Sequence, residues 1–174
     1  MKRAVLIILS LVFAMNLSAQ GLKLLDKAGE HRTSFNYKYS LSRDGEAFKD
    51  ITSGKVTVED NAYSMEGLGL VVTSDGETRL SIDEEAREAV LEAVEKDDMF
   101  TNPALFIASW KNYADRLKVN SSSSSSLDVT LTLDEDTKAR FVLTEIAFSP
   151  KKGTADFDVK RTFGKDWLVT DLRP

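Results

Sequence analysis

Apolar and polar side chains alternate along most of this chain, and the places where the alternation changes are informative. In "TSFNYKYSL", Phe35, Tyr37, Tyr39 and Leu41 point one way and Ser34, Asn36, Lys38 and Ser40 the other, which predicts a strand with one wet face. Arg43-Asp44-Gly45-Glu46 supplies turn residues, and "GKVTVED" alternates again through Val56 and Val58. "AYSMEGLGLVV" keeps Tyr63 and Met65 in phase, with glycines at 67 and 69 that suggest a bulge or bend. Ser74-Asp75-Gly76-Glu77 is a hairpin signal, after which Thr78, Leu80 and Ile82 alternate with Arg79, Ser81 and Asp83. Farther on, Leu127, Val129, Leu131 and Leu133 share a face, Asp134 to Thr137 turn the chain, and "KARFVLTEIAF" returns. Pro150 to Gly153 turn it once more. Phe157 and Val159, a turn at Gly164-Lys165-Asp166 and a last strand through Trp167 and Val169 complete the pattern.

Helical period surfaces in two places. Gly21 to His31 carries Leu22, Leu25 and Ala28 at helical spacing, with Leu24 beside them, and predicts a short helix. In "TNPALFIASWKNYADRL", Asn102 can cap a helix and Pro103 occupies its first position, where a missing N–H costs nothing; apolar residues continue through Trp110. Residues 84–95 read both ways. Ala86, Val90, Ala93 and Val94 fit a helical stripe, and Ser81 with Glu84 resembles a capping box. A strand from Thr78 to Asp83 needs a partner, however, and a strand over 84–95 would place Ala89, Leu91 and Ala93 on one face. "NSSSSSS" at 120–126 is a polar loop or the frayed start of the next strand.

Residues 1–19 have the three parts of a secretory signal: Lys2 and Arg3, an apolar run from Ala4 to Ala14, and small residues before an expected cut between Ala19 and Gln20. That run is short for a bilayer core of about 30 Å. Residues 20–174 are then expected to be a single exported domain, periplasmic and soluble after cleavage. The 174-residue chain has no cysteine, so it offers neither a disulfide nor a site for a lipid anchor and must be held by burial. Its net charge is −5, and losing Lys2 and Arg3 makes the exported form more acidic still. Nucleic acid and anionic headgroups, which need a basic surface, are not expected partners. With one histidine, His31, the chain lacks the material for a Ser-His-Asp triad or a histidine-rich metal site. The acidic runs Asp83-Glu84-Glu85 and Asp134-Glu135-Asp136 lie at expected hairpin tips, where solvated acids are common. No catalytic residue, no metal and no cofactor are expected.

The stretches "LLDKAGEHRTSFNYKYSL", "GKVTVEDNAYSMEG", "SDGETRLSIDEEAREAVLEA", "NPALFIASWKNY" and "FDVKRTFGKDWLVTDLR", in that order, resemble the periplasmic outer-membrane lipoprotein carrier (LolA-like) family. The resemblance implies an α+β fold: an unclosed, strongly curved antiparallel β half-barrel with helices covering its open side. It also implies that residues 77–95 form a hairpin. Where the family typically carries an Arg-Pro pair, this chain has Glu59-Asp60-Asn61. By the same resemblance, Phe35, Tyr37, Tyr39, Val56, Val58, Tyr63, Met65, Leu80 and Ile82 would line a hydrophobic cavity. Leu105, Ile107 and Trp110 would face it from the helix after Pro103. The implied function is a monomeric, non-enzymatic carrier sheltering acyl chains of lipoproteins or other lipids, with outer- or inner-membrane delivery proteins as partners. The alternative is an interaction module of the same kind, whose interior is filled by those side chains and which carries no lipid.

Overall fold

The computed structural model describes residues 20–67, 69–94, 106–107 and 110–174. The signal segment 1–19, the helix start at Asn102 and Pro103, and Leu105 lie outside the described residues. Helix α1 (20–30) matches the expected helix and leads directly into β1 (Arg32–Arg43). Then follow β2 (Lys49–Glu59), β3 (Ala62–Gly67), β4 (Leu70–Ser74), β5 (Thr78–Asp83) and β6 (Glu88–Ala93). Residues 106–107 are helical and Trp110–Tyr113 form a single 3-10 turn. The chain continues as β7 (Leu117–Ser122), β8 (Leu127–Thr132), β9 (Thr137–Ser149) and, after a short turn at Thr154–Asp156, β10 (Leu168–Asp171).

Among the described residues ten strands join one sheet in the order β10-β6-β5-β4-β3-β2-β1-β9-β8-β7. Every pairing is antiparallel except that of β10 with β6, which is parallel, so the sheet is mixed. This overturns the expected half-barrel. The sheet is open, without closure or strong curling, and α1 is the single full helix among the described residues. Two features of the sequence account for the difference. Tight curling needs bulges or glycine kinks distributed along the strands; register shifts occur only where β1 pairs β2 and β9 and where β7 pairs β8, and from β2 to β6 the register runs without one. The apolar face also changes side partway across, so no single concave wall forms.

That change of side is visible row by row. Phe35, Val56, Met65, Val72, Ser81 and Val90 face one another across β1 to β6, apolar until Ser81. The adjacent row, on the opposite face, reads Ser34, Thr57, Ser64, Thr73, Leu80 and Leu91: polar for four strands, then apolar. β4 stands at the crossover. Its Val72 joins the main core and its Val71 the second cluster, which is why Leu70-Val71-Val72 is a run without alternation. The main core lies under α1 and under residues 106–107 and 110–113. It gathers Leu25, Ala28, Phe35, Val56, Val58 and Tyr63 with Phe106, Ile107, Trp110, Leu127, Val129 and Leu131. The second cluster, on the other face, packs Leu80, Ile82 and Ala89 beneath Val159, Phe163 and Trp167.

The ambiguous segment resolves as a hairpin. Asp83 Oδ1 accepts hydrogen bonds from Glu85 N and Ala86 N, Arg87 turns through a positive φ of 55°, and Glu88–Ala93 runs back along β5. Residues 84–87 are therefore turn rather than strand, and the helical propensity loses to pairing that sets Leu91 beside Leu80 and Ala89 beside Ile82. Gly67 and Gly69 mark no bulge: Gly67 ends β3 and Gly69, at φ 77°, turns the chain into β4. The serine run closes β7 and makes the β7–β8 turn, with Ser123 N donating to Ser126 O.

Candidate hydrophobic binding site

The main core gathers most of the residues expected to line a hydrophobic cavity. α1 lies close against the sheet: a Cβ on Gly21 would stand 2.9 Å from both Leu127 Cδ1 and Val119 Cγ1. Tyr37 covers the pair Gly54 and Gly67, which face each other across β2 and β3. A Cβ on Gly67 would meet the Tyr37 hydroxyl at 2.5 Å, and one on Gly54 would strike Glu66 O at 1.6 Å. The Tyr37 hydroxyl thus takes the space a side chain at Gly67 would need, and at Gly54 the close approach of β3 itself excludes one.

Of the expected lining residues, Phe35, Val56, Val58, Tyr63, Ile107 and Trp110 are buried together in this core, with Tyr37 and Met65 packed against it. Tyr39 stacks on Phe141 at 5.0 Å, and Phe141 in turn on Phe106 at 5.2 Å. Leu80 and Ile82 are not part of the site. Their strand presents them to the opposite face, where they meet Ala89 and Val159. Leu105 is outside the described residues. The expected list also omitted Phe106, Leu127, Leu143 and Ile146, all of which take part. Alternation of Leu127, Val129 and Leu131 was a sufficient signal for that wall; what alternation alone lacks is the pairing of β9 with β1, which sets strands some hundred residues apart in sequence side by side.

Between α1 and the sheet a void remains, lined by Leu24, Leu25, Ala28, Thr33, Phe35, Ile107, Leu127, Leu143 and Ile146. It measures about 10 Å³, no more than one water requires. Thr33, the one polar residue among the described lining residues, donates its hydroxyl to Ala28 O at 3.2 Å rather than into the space.

The rim is polar and well paired. Beyond Tyr63 the same row continues to Ser74, Arg79 and Glu92, and Arg79 Nη2 meets Glu92 Oε1 at 3.0 Å. Burial alone would lower the Arg79 pKa, but the Glu92 carboxylate outweighs it and the guanidinium is held above its ordinary value. On the opposite face from Tyr63, Glu59 is 1% exposed; it accepts from Arg32 Nη1 at 3.3 Å, Lys152 N at 3.0 Å and Gly153 N at 2.6 Å. Arg32 also bonds Asp156 at 3.0 Å and lies over the Phe157 ring, so this pair ties the segment after β9 to the sheet. At β8–β9, burial would raise the Asp128 carboxyl, but hydrogen bonds from Arg140 and Asn120 hold it below the usual range. His31 Nδ1 donates to Lys27 O, 3.0 Å away, at the end of α1 and edge-on to Phe148, as a helix-end residue does. Among the described residues no three histidine, cysteine or acidic side chains gather as metal ligands. No described helix is long and apolar enough to cross a membrane.

No family model and no curated protein matches this chain. Among solved structures, the chain is similar to an uncharacterized conserved protein from Thermus thermophilus, with 10% identity over 86% of this chain and 98% of that one, at a TM-score of 0.41.

Proposed function

We propose that this chain is an exported, non-enzymatic interaction domain whose interior is filled by its own side chains. The observation that carries the reading is the fit of α1 on the sheet. The seam beneath it keeps a void of about 10 Å³, whereas sites for organic ligands span about 300–1,000 Å³. Partners then meet the outside of the molecule, where Phe48 and Ile51 stand exposed at the start of β2 and Leu168, Val169 and Leu172 at β10. The exported character rests on the signal-like residues 1–19.

Carriage of acyl chains is the second reading, supported by the apolar lining of that same seam and by the order of the family-like stretches. Each methylene buried there would contribute about 0.8 kcal/mol, enough to offset displacement of a short helix. Trp110, 7% exposed beside the seam, separates the two. In a Trp167→Phe variant, titration with a fatty acid below its micelle concentration should leave Trp110 emission unchanged. A saturable shift that Tyr37→Asp abolishes in a folded protein would establish the lipid reading instead, since an unpaired charge beside the seam opposes apolar binding.

A further inference from the structure

The outer edge of β10 is where the molecule leaves backbone groups and apolar side chains open together. β10 is the last strand of the sheet, and Leu168, Val169 and Leu172 are 62%, 45% and 62% exposed. Leu168 N donates to Arg87 O and Leu172 N to Leu91 O, which fixes the phase of the parallel ladder: residues 168, 170 and 172 turn their backbone groups toward β6. Val169 and Asp171 therefore turn theirs outward. The N–H of Trp167 is taken by Gly164 O and that of Arg173 by Asp171 Oδ1, so the open donors and acceptors centre on Val169 and Asp171.

Edge strands are ordinarily defended by lysines, bulges or prolines. The opposite edge, β7, carries the exposed Lys118 and a bulge between Val119 and Ser121. Among the described residues β10 has no such guard. Asp171 is matched by Arg173 and Asp166 by Arg87, so the strip carries no uncompensated charge although the chain as a whole is acidic.

We propose that β10 pairs antiparallel with β10 of a second copy, joining two sheets across a twofold axis at Thr170. The ladder phase allows only registers that bring outward residues opposite each other, and among these one is favoured by the side chains. It sets Val169 opposite Asp171 of the second copy, giving four backbone hydrogen bonds. Thr170 then faces its own equivalent, and Leu168 faces Leu172 of the other copy twice over, so that the exposed leucines cover one another. A second copy fits this strip better than a basic peptide, because the strip is neutral and the leucine positions are symmetric about Thr170. The pairing goes beyond the interaction-domain reading and does not depend on whether the seam under α1 takes lipid.

The absence of cysteine makes the register directly testable. Purified protein should show a dimer mass by light scattering that returns to monomer on dilution. Thr170→Cys should give a disulfide-linked dimer under mild oxidation, since directly opposed residues of this kind have Cα atoms about 4.5 Å apart. Leu168→Cys should not, because its own equivalent lies four residues away along the ladder, roughly 14 Å. Val169→Pro removes an outward N–H and leaves the β6 ladder intact; it should abolish the dimer. Leu168→Lys with Leu172→Lys should do the same without touching the backbone, which covers the case in which the proline variant fails to fold. A monomer mass at every concentration would overturn the proposal. So would masses beyond the dimer, equal cross-linking of both cysteine variants, or a dimer that survives the folded lysine variant.

Discussion

At the scale of single residues, the most consequential group is Glu59, a carboxylate with 1% of its surface exposed and three donors around it. A buried carboxylate is tolerable only with such partners, and two of the three are backbone N–H groups that hold the turn after β9 in place. Removing the acceptor strands both N–H groups and leaves Arg32 with the Phe157 ring and Asp156, which is 58% exposed. Glu59→Ala should therefore cost about 3 kcal/mol in urea unfolding, the scale of breaking a buried pair from one side. Asp156→Ala should barely register. Equal losses in the two variants would mean that Arg32, not Glu59, organises the turn.

At the scale of elements, β4 and β5 decide the architecture, because there the sheet changes which face it buries. Leu80 packs with Ala89, Val159 and Trp167, on the far side of the sheet from Trp110. Leu80→Ala should cost about 2–5 kcal/mol, as truncations of buried leucines do. Its optical signature should fall on one tryptophan: Trp167 emission should move to the red in a Trp110→Phe background, and Trp110 emission should hold in a Trp167→Phe background. The reverse result would return Leu80 to the main core. Individual strands were legible in the sequence, since period two in Phe35 to Leu41, in Val56 and Val58 and in Leu127 to Leu133 reports one buried face each. Alternation does not say which face of a sheet that is. Leu80 and Ile82 look identical in pattern to Val56 and Val58, and only the pairing of Val72 with Ser81 reveals that they point the other way. The same blindness placed both residues in the candidate site. Residues 84–95 were ambiguous because their helix propensity is real; the match of Leu91 to Leu80, which decides for the strand, is a pairing between strands that local propensity does not report.

At the scale of the whole molecule, an acidic chain without disulfides depends on how its carboxylates are paired. Asp50 is held below its ordinary range first by Lys38 and then by Ser40, and Asp134 by the backbone N–H of Asp136 and by Thr137. In Asp128, burial is outweighed by Arg140, and Asp171 is lowered to about 2 chiefly by Arg173. Each of these groups binds its proton more weakly folded than unfolded, where an aspartate titrates near pH ~3.9. Their contribution to stability is thus complete above the unfolded value and is lost as pH falls through the folded ones, down to about 2 for Asp171. The melting temperature should accordingly fall as pH drops below roughly 4, with no slope from these groups between about pH 6 and 8. Asp128→Asn removes the member whose partner Arg140 bonds it twice, at 3.0 and 2.7 Å, and should lower the melting temperature at neutral pH while making the acid limb shallower. An acid limb as steep in Asp128→Asn as in the unmodified protein would locate the titration elsewhere. High salt discriminates further: exposed pairs such as Asp171 with Arg173 are screened, whereas the half-buried Asp128 pair is screened less, so the share of the acid limb that survives high salt should be the share that Asp128→Asn removes.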